Sequence, residues 1–206
     1  MVPGLPDVHL WRDPVDGQQR YAHISVMNAQ LSALLDQFDE ATARLDRLAY
    51  TLADSQWNTR TDPNRWSPAE CVDHLNITSA AYLPILDEAI RRARSINAAA
   101  PTRYRRDFVG WMLWKTMGPP VRQRVKTTAA FLPSADVPPA QLIAEFRRLQ
   151  EEQKNRVRLC DGLPLQKTRV QSPFSERVKY NLFSCLTILP AHQHRHLWQA
   201  EQSARS

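Results

Sequence analysis

Glycine is scarce in this chain, five in 206 residues, and no apolar run approaches the roughly 18–20 residues that cross a bilayer. The first absence, beside long stretches of 3.6-residue apolar period, points to an all-α domain; the second excludes a membrane-spanning helix. Cysteine is limited to Cys71, Cys160 and Cys185, an odd number without metal-site spacing. Each lies in an amphipathic segment, as expected of buried reduced thiols in a cytoplasmic protein. Residues 1–26 lack the apolar core of a secretory signal and are expected to be an N-terminal extension preceding a domain at 27–206. His9 and His23, within that extension, suggest no role. Acidic residues are nearly missing from one place: between Arg91 and Lys126 ten Lys/Arg face the single acid Asp107. The net charge of +6 is therefore concentrated in one connection, and the rest of the chain is slightly acidic.

Four apolar stripes are present. The first, Leu31, Leu35, Phe38, Thr42, Leu45, Ala49 and Leu52, flanked by Leu34, Ala41 and Leu48, predicts a helix over about 28–54. A second starts at "SPAE", where Ser67 can cap, Pro68 suits the first helical position and Glu70 completes a capping box. Its stripe runs Cys71, His74, Thr78, Ala81, Ile85, Ala89, with a kink expected at Pro84. The third opens near Pro139, carries Leu142, Phe146, Leu149, Gln153, Val157 and Cys160, and stops at Gly162. The fourth reads Val178, Leu182, Cys185, Leu189 and continues onto His192, His196 and Gln199 past a bend or break at Pro190. The expected fold is all-α, a four-helix bundle with a long crossover between the second and third helices. "RRDFVGWMLWKTMG" within that crossover predicts a short helix of its own.

The stretch "HQHRHLWQ" places three histidines within five positions. On a helix His192 and His196 are one turn apart on one face, whereas His194 points away and is expected in solvent. His74 lies on the inward stripe of the second helix. Three imidazoles converging in a core are costly to bury unless something binds them, and a divalent metal is the simplest candidate. Zinc, nickel and iron all accept imidazole ligands. A single helical His-x-x-x-His pair is common without any metal, so the argument rests on His74 joining it.

"RWSPAECVDHL" (65–75) followed far downstream by "HQHRHLWQ" resembles the DinB-like family of metal-binding four-helix bundles, which includes bacterial thiol-dependent transferases. The resemblance carries Trp66, Ser67 and His74 onto the family's first motif, and His192, His196, Trp198 and Gln199 onto its second. It implies a three-histidine metal site, a fold spanning about 27–202, and possible pairing of two copies. Relatives often have an acid after the first histidine of the pair; Gln193 stands there instead, removing a carboxylate base.

A thiol bound to such a metal would be deprotonated and nucleophilic, giving a thiol S-transferase; water in its place would give a hydrolase. The substrates expected are small molecules, one of them a low-molecular-weight thiol. Glu70 is the candidate base or orienting residue, weighed against its capping-box role; Gln199 could orient a ligand or simply bridge helices. Asp73 is expected on the surface and Arg195 in solvent at the rim. The competing reading is a non-catalytic or metal-free stress-response binding module. The basic crossover, with Phe108, Trp111, Met112, Trp114 and Met117, reads as a lid or homodimer surface in preference to an interfacial membrane segment. No recognition helix, zinc finger or stacking platform accompanies its charge, so nucleic acid is not an expected partner.

Overall fold

A computed structural model describes residues 27–118, 127–134 and 137–205. The extension 1–26, and Arg122, Arg124 and Lys126 of the basic crossover, lie outside the described residues. The chain is mostly helical. In order come α1 (Ala29–Thr51), α2 (Asp54–Trp57), α3 (Pro68–Ser95), α4 (Phe108–Met117), α5 (Pro139–Leu159), strands β1 (Arg169–Ser172) and β2 (Ser175–Asn181), and α6 (Leu182–Arg205). The longest helices are α1, α3, α5 and α6, and α1 and α3 each pack against both α5 and α6.

Local chemistry explains the starts. Asn28 caps α1 by accepting the Gln30 amide, and Ser67 with Glu70 forms the capping box of α3, with Pro68 in the first turn. Both internal prolines are carried within continuous helices. At Pro190, where a bend or a break was expected, the helix is not interrupted. Pro84 is exposed, so the backbone carbonyl that it leaves unpaired can be hydrated. α5 ends at Leu159 with Cys160 as its cap, and Gly162 just beyond takes φ +74°, the left-handed backbone of the expected stop.

In α1 the buried positions are Leu31, Leu34, Phe38, Ala41, Leu45 and Leu48, drawn from the stripe and its flanking residues; Leu35, Thr42, Ala49 and Leu52 sit at the edge. One expectation of the stripes fails. Val178 belongs not to the last helix but to β2, which pairs antiparallel with β1. The fold is mostly helical, in line with the all-α expectation, and a small two-stranded hairpin precedes α6. Four residues is a whole number of strand repeats and nearly one helical turn, so the step from Val178 to Leu182 preserves a face in either structure.

The interior is layered. One apolar cluster joins Leu31, Phe38, Tyr82, Leu86, Val157, Tyr180 and Leu186; another joins Leu45, Val72, Leu75, Phe146, Leu197 and Ala200. Between them every long helix but α1 contributes buried polar side chains, among them His74, Thr78, Gln150, Gln153, His192, Gln193 and His196. Gln193 donates to Gln150, which donates to the Phe38 carbonyl, so α1, α5 and α6 are tied together at this level.

The crossover helix α4 lies along α6. Asp107 caps it by accepting the Gly110 amide, and also accepts from the Ser184 hydroxyl and the Asn181 amide. Asn181 in turn accepts the Ser184 amide in the first turn of α6. Gly110 permits the close approach, since a Cβ there would overlap the Ser184 side chain. Gly110→Ala is expected to lower stability by about 1–3 kcal/mol through this overlap. An unshifted urea midpoint would show that α4 is not held at this contact.

Candidate metal centre

His74, near the start of α3, and His192 and His196, one turn apart on α6, are all buried, with at most 8% of each residue exposed. One ligating atom of each lies within 4.8 Å of those of the other two. Ring centroids are 4.5 Å apart for His74–His196 and His192–His196, and 5.2 Å for His74–His192. The expected convergence of the three rings is therefore present.

The donor set fits a metal ion. His74 Nδ1 lies 2.8 Å from the carbonyl of Phe131, a pairing that requires the proton on Nδ1 and leaves the Nε2 lone pair facing inward. His74 Nε2 is 3.4 Å from His192 Nε2, close to the roughly 3.3 Å edge of a tetrahedron with metal–nitrogen bonds of about 2.0–2.1 Å. His196 Nδ1 is buried without a hydrogen-bond partner among the described residues. A buried ring nitrogen left unpaired is costly, and a ligated cation is one way to relieve that cost.

The electrostatics keep all three rings neutral and available as ligands. Burial pushes His192 down to about 3, assisted by His74 and Arg195. Burial also holds His196 well below the usual imidazole range, with His192, His74 and Arg195 adding to the effect and Gln199 opposing it. His74 is lowered by burial, which the Phe131 carbonyl and Asp73 partly offset.

Aromatic rings enclose the cluster. Trp66 stacks on His196 at 5.8 Å and lies 4.9 Å from His74. Phe174, at the tip of the β1–β2 hairpin, lies 6.1 Å from His192 and 4.3 Å from Phe131. Neither Phe131 nor Phe174 was singled out from the sequence. One lies in a 3-10 turn (Ala129–Phe131) after the crossover, the other in a hairpin, and neither segment carries a helical stripe.

The remaining candidates fall into distinct places. Glu70 closes its capping box: its carboxylate accepts from the Ser67 amide and pairs with both Arg60 nitrogens that face it. Burial would raise this carboxyl, but the Arg60 hydrogen bond, the Ser67 amide and the Arg60 charge outweigh burial and hold it below the usual range. Gln199 is half-buried and close enough to His196 to favour its protonated form. Asp73 is not a surface residue: it is 91% buried and accepts the Ser134 amide at 2.7 Å, because the segment after the 3-10 turn folds over it. Arg195 is buried rather than solvated, donating to the Thr116 carbonyl at the end of α4. His194 is not free in solvent either; it packs on α1, where Arg44 reaches both its ring and its carbonyl. Gln193 turns into the α5 interface, away from the histidines, so the missing acid at that position is replaced by an interhelical amide. The three cysteines are free and buried, and burial pushes each thiol up, which leaves them inert as nucleophiles.

Residues 37–200 match the DinB superfamily, and the chain belongs to it. No curated protein and no solved structure matches the chain. Membership and the three-histidine cluster are together compatible with a metal-binding protein. No helix among the described residues is long and apolar enough to cross a membrane.

Two outcomes follow from this geometry. Glu70→Gln should cost about 1–2 kcal/mol by weakening the cap and the Arg60 pair, while metal stoichiometry stays unchanged; loss of metal in this variant would assign Glu70 to the site. In metal-free protein the depressed histidines make stability complete above pH 6.5. It declines as the pH falls from there toward about 3, because the unfolded chain takes up protons first. His192→Gln should flatten that decline in urea melts taken across the range, and an unaltered slope would contradict the assignment.

Proposed function

We propose that this protein is a metal-dependent enzyme that holds one divalent ion on His74, His192 and His196 and acts on small molecules, as a thiol S-transferase or a related hydrolase. The four long helices serve as the bundle of a domain at 27–206, with 1–26 as an extension. The observation that carries this reading is the convergence of three buried neutral imidazoles, one with its tautomer set by the Phe131 carbonyl. A divalent ion in such a site supplies Lewis acidity that lowers the proton affinity of a bound thiol or water.

The chain's own groups perform the rest. Phe131 orients His74 through its carbonyl, and with Trp66 and Phe174 it limits water around the ligating nitrogens. Gln199, half-buried beside His196, is the group that would orient a ligand there. Arg195 and the neutral ligand set favour an anionic occupant over a neutral one. Of the carboxylates flanking His74, Glu70 is engaged by Arg60 and Ser67, and Asp73 accepts the Ser134 amide. Among the described residues, no idle base therefore stands next to His74 for activating water. A thiol, with an ordinary pKa of about 8.5 against about 15.7 for water, needs less help, so thiol transfer is preferred to hydrolysis.

The same lack of an idle carboxylate is what favours the second reading, a metal-free or non-catalytic binding module. Elemental analysis of protein purified without a polyhistidine tag separates the two. About one divalent ion per chain is expected, lost in His74→Ala and His192→Ala while circular dichroism shows the helices retained. Wild-type protein that takes up no metal after supplementation sinks the enzyme reading. With metal bound, incubation with a low-molecular-weight thiol and an alkyl electrophile should yield a thioether by mass spectrometry. Product no faster than in the uncatalysed mixture rejects the transferase.

A further inference from the structure

The exposed face of α4 has no partner among the described residues. Phe108, Trp111 and Met112 are 74%, 43% and 45% exposed, and their spacing places them on one side of the helix, with Lys115 continuing the row. The aromatic rings of Phe108 and Trp111 lie 6.2 Å apart, and the Lys115 ammonium sits 5.1 Å from the Trp111 ring. Lys115 is the single charged residue of the helix.

The N-terminal end of this face opens into a cleft of about 470 Å³, lined by Arg103, Arg105, Arg106, Phe108, Trp111 and Phe183. Arg106 is committed, donating to the Thr187 hydroxyl and lying over Trp114 at 3.9 Å. Arg103 and Arg105 are exposed and form no ion pair among the described residues. Asp107, the acid in the cleft wall, is taken up by Arg169, Asn181, Gly110 and Ser184.

We propose that α4 docks the protein on an anionic phospholipid surface, with headgroup phosphate at Arg103 and Arg105 and with Phe108, Trp111 and Met112 entering the acyl boundary. Charge complementarity selects this occupant. A second copy packed through the same face about a two-fold axis would set Arg103, Arg105 and Lys115 against themselves, and three projecting side chains fall short of the roughly 800 Å² per partner of a stable interface. Nucleic acid would use the arginines but has no use for an exposed thioether beside them. A short apolar row flanked by basic groups suits the headgroup boundary, where tryptophan is favoured. This docking is peripheral and independent of the histidine site.

Flotation of the full chain with vesicles of phosphatidylcholine, with and without about one third phosphatidylglycerol, tests the proposal. Binding is expected only to the anionic vesicles, and should weaken about tenfold as salt is raised. The double variants Phe108→Ser/Met112→Ser and Arg103→Glu/Arg105→Glu change exposed side chains. Each should reduce binding about tenfold or more, with thermal melts unchanged. Equal recovery on both vesicle types, no recovery on either, or undiminished binding in both variants overturns it. So does a concentration-dependent dimer in sedimentation velocity that the same variants abolish, which assigns the face to a second copy. Stronger retention on an oligonucleotide than on anionic vesicles also overturns it.

Discussion

Taking three imidazoles out of water is the constraint around which this molecule is arranged. Each ring brings two nitrogens into the interior, and each nitrogen needs either a proton acceptor, a donor or a ligand. The Phe131 carbonyl satisfies one nitrogen of His74 and turns the other toward His192. His196 Nδ1 keeps no such partner among the described residues. The bundle thus places buried lone pairs where its apolar clusters meet, and a cation is the ligand that such a set of neutral donors can accept.

The polar layer has consequences for the helices that form it. Gln150, Gln153 and Gln193 sit at the same level as the histidines and bind α5 to α6 and α1 through amide hydrogen bonds. Such a layer stabilises less than an apolar one of equal volume, but its directional bonds admit fewer alternative registers between helices. The register matters here, since a slip of one turn would carry His74 past the pair on α6. The hairpin and the 3-10 turn then close the periphery, placing Phe174 and Phe131 over the site. Outside it, α4 is pinned to α6 by Asp107, Asn181 and Ser184, which leaves its opposite face turned outward.

Much of this was legible in advance because helices advertise themselves. The capping box at Ser67 and Glu70, the prolines that open α3 and α5, and the apolar spacing give element type and approximate limits. The His192–His196 pair is a local property of one turn, so spacing alone puts both rings on a common face. The inward stripe of α3 was enough to aim His74 at the same interior. Other features were hidden. Val178 and Leu182 fit a helix and a strand equally well, which concealed the hairpin. Asp73, His194 and Arg195 looked like solvent-facing polar residues, and each is covered by a segment distant in the chain.

The sequence by itself determined the long helices and the two histidine-bearing faces, because capping and amphipathic period depend on neighbours within a few residues. Only the tertiary structure decided that the faces meet within bonding reach, that a carbonyl 57 residues downstream sets the tautomer of His74, and that Glu70 is claimed by Arg60. Those outcomes depend on how helices and connections pack, and contacts between distant parts of a chain leave no periodic trace in it.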